Sequence, residues 1–167
     1  MNAELAPCAC TTLRKASRAV TRFYDEMLRP EGLTATQLAV LRAVDREGPV
    51  PMSHVADALV MDRTSLYRAV GPLLRAGDLE SVPSAEDGRS KFLRLSRSGK
   101  RRLARAGQRW ALAQRTMIQQ IGPERWPDLS RWLHETAERA LSLDPGRRSP
   151  RGTGERAEPP DGKGTSR

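Results

Sequence analysis

Apolar residues recur at helical spacing through most of the chain, and the breaks in that rhythm mark its elements. From Cys10 to Leu28, the residues Leu13, Val20, Phe23, Tyr24, Met27 and Leu28 follow a 3,4 pattern, which predicts a long amphipathic helix closed by Pro30 and Gly32. Thr34 and Gln37 have the spacing of a capping box, and Leu38, Leu41 and Val44 follow as an apolar stripe. A second helix is therefore expected over about 35–47, ending at Gly48-Pro49. A short third helix should start near Met52 or Ser53 and bury Val55 and Leu59. Between Asp62 and Ala76, Leu66, Val70, Leu73 and Leu74 share a face, and Gly77 is placed to stop the helix. Pro72 removes one intrahelical hydrogen bond, so a bend is expected over 68–72.

The period then changes. Leu79 to Pro83 and Lys91 to Leu95 are short, and the second alternates Leu93 and Leu95 against Phe92 and Arg94. The turn-rich stretch Ser84 to Ser90 between them predicts a two-stranded hairpin with a polar tip. Helical spacing returns with Leu103, Ala106, Trp110, Ala113, Met117, Ile118 and Ile121, and again after Gly122-Pro123 with Trp126, Leu129, Trp132, Leu133, Ala137, Ala140 and Leu141. From Asp144 onward there are four Pro, five Gly and no Leu, Ile, Val, Met or aromatic residue, a composition expected to stay disordered. The fold class is thus mainly α with a small β-hairpin wing. An N-terminal arm covers 1–9, a winged helix-turn-helix 33–95, long helices 10–30 and 96–143, and a disordered tail 144–167.

Charge sharpens this layout. The 167 residues carry 29 Lys plus Arg against 20 Asp plus Glu, a formal +9. Residues 1–61 are neutral, whereas 62–105 hold eleven basic and five acidic side chains. A basic stripe concentrated on one helix and hairpin is the footprint of a surface that neutralises phosphates. No apolar run approaches the 20 or so residues of a membrane span, and residues 1–7 lack the pattern of a secretory signal, so a cytoplasmic, membrane-free location is expected. Cys8 and Cys10 alone make no disulfide framework. His54 and His134 offer no metal-ligand spacing with them, and no nucleophile, base and orienting group form a constellation. Neither a metal, a cofactor nor an enzyme is expected.

In a helix-turn-helix the second helix enters the major groove. Opposite the apolar stripe of residues 62–76 lie Thr64, Ser65, Arg68 and Arg75, with Tyr67 on the flank. Thr64, Ser65, Tyr67 and Arg68 are the candidate base readers, Arg68 above all, because its fork matches the O6 and N7 acceptors of guanine. Arg89 at the hairpin tip suits the negative minor groove. Arg75, Lys91, Arg94 and Lys100 are candidate phosphate contacts. The helices at both ends carry more apolar surface than the central unit can cover, so a homodimer is expected, on an operator with two inverted half-sites roughly 34 Å or a multiple apart. The competing function is a winged helix serving as a protein-interaction or nonspecific architectural DNA-binding module, which would bind all duplexes alike.

Over about residues 10–142 the sequence resembles the MarR family of winged-helix transcriptional regulators. The resemblance is carried by Gly32-Leu33-Thr34 with Gln37, by Met61-Asp62-Arg63-Thr64 with Leu66 and Arg68, by Leu74 with Gly77, and by Asp87-Gly88-Arg89 followed by Leu95-Ser96 and Gly99. It implies a homodimer built from the first and last two helices, Arg89 in the minor groove, and repression relieved by a small ligand or an oxidant. For the ligand, a small aromatic or phenolic molecule, Phe23, Met52 and His54 are the candidate lining. For the oxidant, Cys10 precedes Tyr24 by fourteen residues, as the reactive cysteine does in the organic-hydroperoxide-sensing branch of the family. Ala35 and Arg14 stand where that branch has further tyrosines. A thiol in the first turn of a helix has its thiolate stabilised by exposed N–H groups.

Overall fold

The computed structural model describes residues 7–83 and 91–143. Helix α1 runs Ala9–Leu28 and passes through a 3-10 turn at Arg29–Glu31 into Gly32, whose φ of +63° lets the chain reverse. Helix α2, Ala35–Glu47, starts at the capping box: the Thr34 hydroxyl accepts from the Gln37 N–H at 3.1 Å, and the Gln37 side-chain oxygen accepts from the Thr34 N–H at 3.0 Å. Asp25 satisfies a further free donor of that first turn, the Ala35 N–H, at 2.7 Å. This local chemistry sets the angle at which α2 leaves α1.

Strand β1 (Val50–Pro51) leads into α3 (Met52–Ala58), then α4 (Arg63–Arg75). Between α3 and α4 the chain turns at Val60, a β-branched residue at φ +52°, a backbone region that usually calls for glycine. The Met61 N–H bonds back to the Ala56 carbonyl at 2.9 Å and holds that turn. Helix α4 runs as a single element through Pro72. Gly71 has no Cβ to collide with the proline ring, which removes part of the usual obstacle.

Strands β2 (Leu79–Pro83) and β3 (Lys91–Leu95) pair antiparallel in the register Leu79↔Leu95 to Pro83↔Lys91. The sheet order is β1-β3-β2, with Val50 opposite Leu93, so the expected hairpin gains a third, two-residue strand. As the alternation predicts, Leu93 and Leu95 are buried while Arg94 faces solvent. Helix α5 spans Arg97–Ile121 and α6 spans Trp126–Ser142.

The chain divides at Gln120–Ile121 into two units. In the first, Leu28, Leu38, Val40, Leu41, Val44, Val55, Leu66, Val70, Leu73, Leu79 and Leu93 form one core, to which α5 contributes Ala106. Leu66, Val70 and Leu73 of the α4 stripe are thereby consumed in packing, whereas Leu74 stays exposed, and the polar face is left outward. The second unit is α6, held by local pairs such as Arg131 with Asp128 at 2.6 Å. It exposes Trp132, Leu129 and Leu133. The tail assigned to 144–167 and most of the arm assigned to 1–9 lie outside the described residues.

Candidate nucleic-acid interface

Burial of Leu66, Val70 and Leu73 orients α4 so that Arg63, Thr64, Ser65, Tyr67, Arg68 and Arg75 are all exposed. Asp62 caps the helix. Its Oδ1 accepts the Ser65 N–H at 2.8 Å and its Oδ2 accepts the Ser65 hydroxyl at 2.7 Å. These bonds, the backbone one foremost, hold the Asp62 carboxyl below the usual carboxylate range.

An open depression joins three elements of this surface: Thr34, Thr36 and Gln37 from the start of α2, Val60, Met61 and Asp62 from the turn, and Ser65, Arg68 and Ala69 from α4. Two of the expected base readers, Ser65 and Arg68, thus face one space. Tyr67 looks elsewhere, into a cavity of about 280 Å³ lined by Pro51, Met52, Ser53, Ala56, Arg63 and Leu66. Arg63 was not among the expected contacts. Its position four residues before Tyr67, hence on the same helix face, was the available signal.

The candidate phosphate contacts are placed unevenly. Arg75 is exposed and its guanidinium lies over Gly71, while Lys100 is exposed in the first turn of α5. Arg94 is engaged across the hairpin, with Nη2 at 2.6 Å from Glu80 Oε2. It lines a groove at the wing base with Arg97, Arg101 and Ser98. Lys91 opens β3, and Arg89 lies outside the described residues. In the same basic run Arg102 turns inward to Asp78, and Arg105, though exposed, pairs with Glu31.

Phe23, Met52 and His54 are not brought together. Phe23 lies edge-on to Tyr24 on α1, with ring centroids 5.6 Å apart, whereas Met52 enters the Tyr67 cavity and His54 is exposed. Two residues apart on α3, Met52 and His54 point roughly 200° apart around the helix. Between α1, α2 and α5 the structure instead places Tyr24, whose hydroxyl donates to Gln114 Oε1, and Arg42, whose guanidinium stacks 3.8 Å from the Trp110 ring centroid. Burial raises the Tyr24 pKa and lowers that of Arg42.

Cys8 and Cys10 are both free and exposed. Because α1 starts at Ala9, the capping position belongs to Cys8, and the Thr11 N–H, followed by the Thr11 hydroxyl, holds its thiol below the ordinary value. The attraction is electrostatic, since no full-geometry capping hydrogen bond forms there. Cys10, the second residue of α1, lies in the first turn of the helix, as expected. Tyr24 is fourteen residues from Cys10 along α1, about 21 Å, so the two do not meet within one chain.

Among the described residues no cluster of His, Cys, Asp and Glu could hold a metal ion, and no helix is long and apolar enough to cross a membrane. The MarR family model matches residues 31–90. The structure of the transcriptional regulator MosR of M. tuberculosis in complex with DNA is 31% identical, with a TM-score of 0.73 over 81% of this chain and 97% of that one. The transcriptional regulator PcaV of Streptomyces coelicolor, in complex with its natural ligand, is 26% identical, with a TM-score of 0.74 over 84% of this chain and 99% of that one. No curated protein matches. With its family motifs, its winged helix-turn-helix fold and a relative 31% identical over 81% of its length, the chain belongs to the MarR family of transcriptional regulators, which are not enzymes.

Proposed function

We propose that this regulator is a homodimeric repressor that binds an inverted-repeat operator through α4 and the wing and releases it on a chemical signal. The observation that carries the proposal is the outward face of α4, where Ser65 and Arg68 share a depression with the first turn of α2. Thr64, Ser65, Tyr67 and Arg68 then read base edges, Arg89 enters the minor groove, and Arg75, Lys91, Arg94 and Lys100 contact phosphates. Arg94 does so in competition with Glu80. The DNA complex of MosR supports this use of the fold. Residues 10–30 and 96–143 supply the dimer interface, since Leu13 and Val20 on α1, Leu112 on α5 and Trp132 on α6 are exposed apolar groups that a second copy would cover.

Gel shifts on a footprinted promoter fragment against random duplex test this. Arg68→Ala is expected to lower operator affinity about ten-fold or more while sparing random-duplex binding. Arg101→Ala should weaken both alike and reduce the salt slope by about one. An unchanged operator-to-random ratio in Arg68→Ala would remove Arg68 from base reading.

Two signals fit. PcaV carries a natural ligand, and a small aromatic or phenolic molecule in the Met52 cavity would occupy Tyr67 and Arg63, the side chains turned toward DNA. Alternatively a cysteine thiolate attacks an organic hydroperoxide. An S–O bond forms as the O–O bond breaks, the alcohol leaves and a sulfenic acid remains. Of the two thiols, Cys10 carries the family resemblance, and the Thr11 N–H and hydroxyl hold the Cys8 thiol below its ordinary value. Hydroperoxide-driven operator release is expected to disappear in Cys10→Ser, the cysteine that the family resemblance marks. Release that survives in the double variant would eliminate the redox signal.

A further inference from the structure

We infer that Asp62 and Ser65 make the N-terminal end of α4 an acceptor-only reader, which selects a base with an exocyclic amino group, adenine or cytosine, on the strand it faces. The inference rests on the DNA-reading role proposed for α4 and names the chemistry one part of that surface accepts.

A serine hydroxyl free to rotate reads any base, because it either donates or accepts. Ser65 is not free. Its single hydroxyl hydrogen goes to Asp62 Oδ2 at 2.7 Å, and its backbone N–H to Asp62 Oδ1 at 2.8 Å. An ionised carboxylate only accepts, so the direction of the first bond is settled by chemistry. The same contacts keep Asp62 ionised through the neutral range. What Ser65 Oγ and the two Asp62 oxygens still offer is lone pairs. Both residues are exposed and open onto the depression that holds Arg68, so among the described residues none closes those lone pairs off from a ligand there.

In the major groove adenine presents its N6 amine and cytosine its N4 amine, whereas guanine and thymine meet an incoming acceptor with acceptors of their own. The discrimination is therefore A or C against G or T on one strand. Arg68, with only donors, has the opposite requirement and suits guanine. The two residues are three apart on α4, about 4.5 Å along the axis. With bases spaced about 3.4 Å along a strand, the two opposite preferences should fall on adjacent or next-adjacent base pairs of each half-site.

Selection from a random duplex library by the full chain, followed by sequencing, tests this. The wild type should enrich A or C at one half-site position by about five-fold or more over G or T, within two steps of a guanine that Arg68→Ala erases. Ser65→Ala removes one of the three acceptor oxygens and should weaken the preference at that position while leaving the guanine. Asp62→Asn keeps an oxygen for the Ser65 N–H, but its amide can donate to Ser65 Oγ and release the hydroxyl hydrogen, so the same position should admit G or T. A wild-type G or T at the position that Ser65→Ala changes would overturn the inference. So would unchanged profiles in both variants while Arg68→Ala still erases its guanine, a result that would leave DNA reading by α4 intact. Absence of any enriched sequence with the wild type would overturn the DNA-reading role itself. Ser65 is exposed, so Ser65→Ala alone decides the matter should Asp62→Asn fail to fold.

Discussion

Gly99→Ala is expected to lose about 3 kcal/mol or more of folding stability, at the upper end of what overpacking costs, and to melt roughly 10 °C below the wild type. Gly99 is buried in the first turn of α5, where a Cβ would lie 2.1 Å from the Asp78 carbonyl oxygen, 2.9 Å from its carbon and 3.0 Å from Leu95 Cδ1. The obstacle is backbone, which cannot swing aside as a side-chain tip does. It is also committed backbone: the Asp78 oxygen accepts the Ser96 N–H at 3.0 Å, and Ser96 Oγ in turn accepts the Gly99 N–H at 3.0 Å. Ser98 Oγ donates to the Gly77 carbonyl at 2.8 Å beside them. Moving α5 away to make room would break this set and separate the base of the wing from the helix. Operator affinity should therefore fall with stability. Thermal unfolding followed by circular dichroism checks the prediction, and a loss below about 1 kcal/mol would show that the turn at Asp78 can relax.

What the amino-acid pattern reveals depends on how local the cause is. The capping box at Thr34 and Gln37 is read correctly because both partners lie within one helical turn. The two wing strands are read correctly because Leu93 and Leu95 alternate with Phe92 and Arg94. Strand β1 is too short to carry a period and exists only through its pairing of Val50 with Leu93, 43 positions away by number. An error of one residue at the start of α1, Cys10 for Ala9, is enough to hide Cys8 as the capping residue. The outward face of α4 is legible as a face, yet which of its residues share a space is not, since the partners of Ser65 and Arg68 come from α2 and those of Tyr67 from β1 and α3. Most opaque is the basic run after Leu95. Lys100 and Arg102 are alike on paper, but one is exposed and the other is bound to Asp78, because only the fold brings an acid to meet it.

That pair should produce the other large effect. Arg102 spreads its fork over three partners: Nη1 on Asp78 Oδ2, Nε on the Glu31 carbonyl at 2.9 Å and Nη2 on the Gly32 carbonyl at 2.8 Å. It thereby ties α5 both to the turn before β2 and to the turn between α1 and α2. Arg105 reinforces the second tie through Glu31 Oε2 at 2.9 Å. Asp78 is only 3% exposed. Removing Arg102 leaves that carboxylate buried without a counter-charge and leaves two carbonyls without donors, which breaks a buried pair at a cost of about 3–5 kcal/mol. The Arg102 side chain is about a fifth exposed, so water recovers part of this, and Arg102→Ala should fall near the lower bound, about 3 kcal/mol. Asp78→Ala should cost less, because the guanidinium keeps both carbonyls. Arg102→Lys should rescue only in part: a single ammonium can satisfy the charge but cannot span three acceptors. Urea unfolding of the two alanine variants and of the double variant closes a cycle, and the double variant should lose markedly less than the sum of the singles. Additive losses would mean that Arg102 stabilises the junction through the Glu31 and Gly32 carbonyls alone, with Asp78 a bystander.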